Sequence, residues 1–315
     1  MKKILAALLA VVLIFSFAGC AKKNSNQTQT DSAKLKIVCT IFPQYDFCRA
    51  ITKDVEGVEL KMLLAPGDES HSYSATLEDI SAINAADLFV YVGGESDEWV
   101  EDVLQTASPK KSIALTELVE TLEESDEGIL VEEEEKEEEG AADEHVWTSL
   151  KNAQKIIGAL ADTICELDKE NATAYRANAL LYGNELAVID ANFKTFFAGV
   201  KNKTIVIADR NPFRYFCEEY GIRAIAAFAG CSSNNEIPLS VQNELIKAVK
   251  ENSLKHIYVI ELNTSGYADA IAKQTGATKL TLNSCHNLSK ESFESGKTFA
   301  DLMAENYETL KASMQ

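Results

Sequence analysis

The chain has 315 residues, with 30 Lys or Arg against 49 Asp or Glu and a formal charge of −19. No basic patch gathers along it, which excludes nucleic acid as a partner class. About 280 residues remain after the leader, enough for two domains of ordinary size.

The leader predicts export. Lys2 and Lys3 precede a mostly apolar run, Ile4 to Ala18. That run is short for a membrane span, which needs about 20 residues, and suits a signal segment. It ends in Phe17-Ala18-Gly19-Cys20, small residues before a cysteine, as in a bacterial lipobox where the cysteine becomes the lipidated N-terminus. Residues 21–34 are polar and read as a flexible tether. A lipid on Cys20 would hold a soluble body at the outer face of the bilayer without spanning it.

From residue 35 strands and helices alternate. Strands are predicted at Leu35–Thr40, Val58–Leu64, Asp87–Val92 and Ser112–Leu115. Helices follow at YDFCRAIT, after the near capping box Thr76–Asp79, and at DEWVEDVLQTA. This rhythm implies parallel βαβ units in a doubly wound, Rossmann-like sheet, closing a first lobe over 35–168. Inside it, residues 117–144 hold 15 Asp or Glu and only Lys136, and account for most of the charge. They have no apolar period and read as a mobile acidic loop. Ser149 then caps a helix carrying Ile156, Ile157, Leu160, Ile164 and Leu167.

Residues 169–199 include a run of up to about 28 residues, rich in strong helix formers and without proline, that reads as a rigid strut between lobes. The α/β rhythm resumes over 200–315. Strands are predicted at Thr204–Ala208, Ile222–Phe228, His256–Glu261 and Lys279–Leu282. The expected fold is therefore two parallel α/β lobes joined by one long helix, with a ligand in the cleft outside the carboxyl ends of the strands.

Four histidines exist. His71, His145 and His286 fall in loops at expected strand ends or helix starts, whereas His256 begins a strand at the opposite edge and reads as structural. Imidazole is a common ligand for metal ions, and two or three with a carboxylate or thiolate suit zinc. Spacing alone is weak evidence: His71 and His145 are far apart and belong to no local metal motif. Six cysteines remain besides Cys20. Cys165 and Cys217 sit among apolar helix residues and read as buried thiols. No G-x-S-x-G, H-E-x-x-H or phosphate-cradling loop is present, which leaves a zinc hydrolase or a Cys285 nucleophile little support.

Four segments carry a family resemblance: IVCTIFPQYDFCRAI, LLAPGDESHSYSATLEDISAINAADLFVYVGGESDEWVEDVL, DEHVWTSLKNAQKI and TFADLMAENYETLK. Together they resemble the metal-binding lipoproteins of zinc and manganese ABC importers, in order and over nearly the whole mature chain. The resemblance implies two four-stranded lobes on a long helix with little hinge motion. It also implies a monomer that captures a divalent metal, zinc or alternatively manganese, for a membrane permease. His71 and His145 match family ligands. The family's charged loop before D-x-H-V-W is often histidine-rich and is here glutamate-rich. Two positions depart. Arg210 stands where the third ligand is expected, and arginine has no acceptor. Asn283 stands near the fourth. Substitutes lie close by in Cys231, Cys285, His286 and Glu261. Some subset of Cys231, Cys285 and His286 with His71 and His145 would make an N/S site favouring zinc. A Cys231–Cys285 disulfide is the competing reading. Arg210 would need a carboxylate, with Glu261 and Asp209 as candidates, or would hold an organic anion or metal chelate as altered cargo.

Overall fold

The computed structural model describes residues 35–69, 73–131, 141–232 and 236–314. The leader, Cys20 and the tether lie outside the described residues, as does His71.

Two four-stranded parallel sheets form. The first contains β1 (Leu35–Cys39), β2 (Val58–Met62), β3 (Leu88–Tyr91) and β4 (Ser112–Ala114) in the order β2-β1-β3-β4. The second contains β5 (Thr204–Asn211), β6 (Arg223–Ala229), β7 (His256–Ile260) and β8 (Thr278–Leu282) in the order β6-β5-β7-β8. Strand order reverses between β1 and β3 and again between β5 and β7, so each sheet offers its crevice at its carboxyl edge. The expectation of two doubly wound lobes holds.

Helices cover the sheets. In the first lobe these are α1 (Phe42–Ile51), α2 (Leu77–Asn84), α3 (Glu98–Leu104) and α4 (Leu150–Leu167). The expected caps are present. Thr76 and Asp79 close a reciprocal capping box on α2, and Ser149 Oγ accepts from Asn152 N–H on α4. The strut, α5 (Ala172–Gly199), has 28 residues, about 42 Å at 1.5 Å per residue. It buries Tyr175, Ala179, Tyr182, Leu186, Ile189, Phe193 and Phe197, at spacings of three and four that keep one stripe facing inward. Each large member of that stripe contributes on the order of 2 kcal/mol by leaving water.

The second lobe adds α6 (Arg214–Tyr220), α7 (Leu239–Glu251), α8 (Tyr267–Thr275), α9 (Lys290–Glu294) and α10 (Phe299–Ser313). The last helix returns to the first lobe. Asp46 of α1 accepts from Tyr182 Oη of α5 and from Phe299 N–H of α10, at 2.8 Å for the latter. One buried carboxylate thus fastens three helices. One apolar core is continuous from Leu35 and Phe47 through Phe193 to Phe216 and Tyr258, so the lobes share an interior.

Residues 132–140 of the acidic stretch lie outside the described residues, while its described parts, 117–131 and 141–144, make specific contacts that the composition does not predict. Gly128 O accepts from Ala226 N–H at 2.9 Å, and Leu130 and Val131 N–H donate to Ala226 and Ala227 O at 3.0 Å. Residues 128–131 therefore lie parallel along the edge strand β6, strapping a first-lobe segment to the second sheet and covering an open edge. The strap is pinned at its base, where Leu122 N–H donates to Tyr215 Oη at 3.0 Å and Tyr215 Oη donates to Asp143 O at 2.6 Å.

Candidate metal centre

His145 sits at the start of a 3-10 turn, Val146–Thr148, whose Val146 and Trp147 are fully buried. Trp147 Nε1–H donates to Ser284 O of the second lobe at 2.9 Å, so the D-x-H-V-W segment is nailed across the cleft floor. Asp143 Oδ1 accepts from His145 N–H at 2.8 Å and lies 3.1 Å from His145 Nδ1. An ionised carboxylate only accepts, so Nδ1 carries the hydrogen and Nε2 presents a lone pair. Burial disfavours the imidazolium of His145, but the charge and hydrogen bond of Asp143, with Glu144 beyond, outweigh this and raise its pKa despite the opposing charge of Arg210.

His286 arrives from the loop after β8. Its Nδ1 is 2.9 Å from Ser284 Oγ. Ser284 gives its N–H and Oγ–H to the two oxygens of Glu261 at 2.6 and 2.7 Å. With its proton committed to Glu261, Ser284 Oγ offers His286 a lone pair, so Nδ1 is again the protonated nitrogen and Nε2 the ligating one. Burial raises the Glu261 carboxyl, and the two bonds from Ser284 oppose the rise.

The two imidazoles meet edge to face with centroids 4.8 Å apart, and Trp147 stands 4.9 Å from the His286 ring. Glu144 joins them. One ligand atom each from Glu144, His145 and His286 lie within 4.8 Å of one another, and all three residues are buried. Ligand atoms around a tetrahedral zinc with bonds of about 2.0–2.2 Å stand roughly 3.3–3.6 Å apart, so a small inward movement closes the group on an ion. Glycines shape both walls. A Cβ on Gly230 would come within 2.7 Å of His145 Cε1, and one on Gly94 within 2.3 Å of Glu144 Cβ. Glu144 was not anticipated among the site residues, because within an acidic run nothing local distinguishes one glutamate from its solvated neighbours.

The other expected residues divide. Arg210 is buried at the cleft but pairs with neither Glu261 nor Asp209. Its Nη2 meets Glu69 Oε2 at 2.7 Å, and its Nη1 reaches Glu69 Oε1 at 3.4 Å and Ser232 O at 3.1 Å. A register shift in β5 between Ile207 and Arg210 carries the strand past its expected end at Ala208. Asp209 is taken by Arg210 N–H and by Asn263. Asn283 faces Asn306, not the site. Its neighbour by four residues, Asn287, donates from Nδ2 to Ala65 O and Asp68 O at 2.8 and 2.9 Å, docking the first-lobe loop on the second lobe.

The disulfide alternative is overturned: none of the six described cysteines is disulfide-bonded, so no Cys231–Cys285 bridge forms. Cys285 takes φ of 66° and buries its thiol in the core with Leu282, Leu288 and Phe299. Burial pushes that thiol well above its ordinary pKa, which disfavours the thiolate that zinc requires. Cys231 belongs to a neighbouring group with Glu95 and Glu124, and its Sγ lies 3.3 Å from Glu124 Oε1. His256 is structural, with Nδ1 3.0 Å from Ser313 O. A cavity of about 570 Å³ opens at the opposite edge of the second sheet, beside Thr204 and His256, away from this chemistry.

Facing α/β lobes with imidazoles from both converging on the cleft define a solute-binding protein. Residues 37–313 match the family described as zinc-uptake complex component A, periplasmic. The chain is 30% identical over 321 residues to the zinc-binding lipoprotein AdcA of Streptococcus pneumoniae, covering 99% of itself and 61% of that relative. It is 30% identical over 322 residues to the high-affinity zinc uptake system protein ZnuA of Bacillus subtilis, covering 98% of itself and 97% of the relative. In three dimensions it is similar to the metal-dependent lipoprotein YcdH of Bacillus subtilis, with TM-score 0.76, 28% identity, and 90% and 100% of the two chains covered. The Zn(II)-bound ZnuA-like domain of Streptococcus pneumoniae AdcA gives TM-score 0.74 at 26% identity, over 89% and 99%. This chain belongs to the zinc-uptake component A family.

Proposed function

We propose that the chain captures Zn2+ between its lobes and delivers it to an ABC-type permease, held at the outer face of the membrane by a lipid on Cys20. His145 and His286 form the core of the site, and His71 completes it from outside the described residues. The observation that carries the reading is the pair itself. Two imidazoles from distant stretches stand with centroids 4.8 Å apart, each with Nδ1 engaged by an oxygen and Nε2 the ligating nitrogen. Imidazole donors favour zinc over manganese. The relatives named for zinc support the same cargo. Arg210 favours this reading over an anionic cargo, because its Nη groups already hold Glu69 and Ser232 O.

Calorimetry on the mature chain tests it: one Zn2+ should bind per chain, more tightly than Mn2+. His145→Ala and His286→Ala should each weaken zinc binding by at least about 100-fold, and His71→Ala likewise. Undiminished zinc binding by H145A and H286A would end the assignment. Labelling with radioactive palmitate, lost on Cys20→Ala, tests the anchor.

A further inference from the structure

Glu144 is placed as a ligand is placed. It is fully buried, and its Oε2 accepts two hydrogen bonds, from Ser96 N–H and Ser96 Oγ–H, both at 2.9 Å. Its Oε1 is buried with no hydrogen-bond partner among the described residues. No Lys or Arg among the described residues forms an ion pair with it. A carboxylate taken out of water with one oxygen unengaged is unfavourable unless a cation meets it. A carboxylate oxygen of Glu144 belongs to the group whose ligand atoms, with those of His145 and His286, lie within 4.8 Å of one another. The fork from Ser96 is the outer support that ligating carboxylates characteristically receive, and it leaves one oxygen for a single bond to metal.

The wall behind the side chain is cut for it. A Cβ at Gly94 would lie 2.3 Å from Glu144 Cβ and 2.5 Å from Oε2, so only a bare backbone lets the carboxylate lie against the loop after β3. Its environment is otherwise hostile to negative charge. Asp97, in the same turn as Ser96, is buried and accepts from Gly93 N–H at 3.4 Å.

We propose that Glu144 is an inner-sphere ligand to the captured cation, giving the site a carboxylate donor from the first lobe beside His145 and His286. This rests on the metal-binding reading above and adds to it the source of the anionic donor. The carboxylate offsets one charge of the dication and the opposing charge of Arg210, which acts on His145 from the second lobe.

The test is zinc affinity by competition against a chromogenic chelator on the mature full chain, with Glu144→Gln, Ser96→Ala, His145→Ala and wild type side by side. Glu144→Gln keeps the shape and an acceptor for Ser96, and is expected to weaken zinc binding by at least about 100-fold. Ser96→Ala should weaken it by roughly tenfold, the size of a lost supporting bond. A zinc-loaded crystal structure should place a Glu144 oxygen about 2.0–2.2 Å from the metal. That last measurement decides the matter even if E144Q does not fold. Affinity of E144Q within about threefold of wild type, or a zinc–carboxylate distance beyond about 3 Å, overturns the inference while leaving the histidine site standing. Failure of wild type itself to bind zinc removes the underlying reading instead.

Discussion

Arg210 of the second lobe grips Glu69 of the first in a two-pronged ion pair, with Nη2–Oε2 at 2.7 Å and Nη1–Oε1 at 3.4 Å. The guanidinium is buried while the carboxylate is about half exposed, so the pair's worth to stability is screened on one side. Its larger effect is on the cation. Arg210 already disfavours the charged form of His145, and without Glu69 that positive charge would stand unopposed near an incoming dication. Glu69→Gln should lower zinc affinity by about tenfold. Replacing Arg210 with Met in that background should restore most of it. The coupling measured through the double-mutant cycle is the check, and purely additive losses would show that the pair does not shield the site.

Proton and metal compete for His145 Nε2. Because Asp143 raises the pKa of His145, zinc affinity should begin to fall at a pH above the ordinary histidine range as the solution is acidified. The sign is fixed: the deprotonated ring binds metal, so affinity drops as pH falls through the raised value. Asp143→Asn removes the principal cause of the rise and should move the midpoint to lower pH. It should also cost about 10- to 100-fold in affinity at neutral pH, since the ring loses its orienting carboxylate. Chelator competition between pH 5 and 8 reads both effects, and an unmoved midpoint in D143N contradicts the relay.

The fold was legible where its cause is local. Thr76 with Asp79 and Ser149 announce helix starts through their own hydrogen bonds, and the spacing of Tyr182, Leu186, Ile189 and Phe193 writes the strut's buried stripe. Site chemistry was legible only in part. His145 and His286 flagged themselves by residue type, but adjacent Cys285 and His286 have different surroundings: Cys285 belongs to the apolar core, with Sγ 3.7 Å from Asn283 O, whereas His286 Nδ1 meets Ser284 Oγ. Glu144 was hidden for the opposite reason: burial by Ser96 and Gly94 separates it from the glutamates around it, and burial is a tertiary property. The strap was missed because Ile129, Leu130 and Val131 are too few to set a period, though three consecutive apolar residues inside an acidic run are a signal in hindsight.

That strap carries its own expectation. Leu130 N–H donates to Ala226 O at 3.0 Å. Proline at 130 deletes this donor, and the strap should detach from β6. Hydrogen exchange at Ala226, whose N–H is bonded to Gly128 O, should then accelerate strongly, with a stability loss of about 1–2 kcal/mol in urea unfolding. Protection of Ala226 equal to wild type would mean that the edge is covered some other way.

Asp97 supplies a stability signature independent of metal. Burial, reinforced by the charge of Glu144, lifts its carboxyl from 3.8 to about 7. The folded state therefore binds more protons than the unfolded chain between about pH 4 and 7, so this group favours folding most below that window. Its contribution declines as pH rises through the window and is constant above it. A shift of this size is on the order of 4 kcal/mol across the whole range. Asn at 97 keeps an oxygen for Val92 and Gly93 N–H and has no proton to lose. The stability of wild type minus that of D97N, from urea unfolding of the metal-free protein, should therefore fall steadily from pH 4 to pH 7. A difference that stays level over that interval would mean that Asp97 is ionised in the native state throughout, and that the loop after β3 tolerates two buried negative charges without a cation.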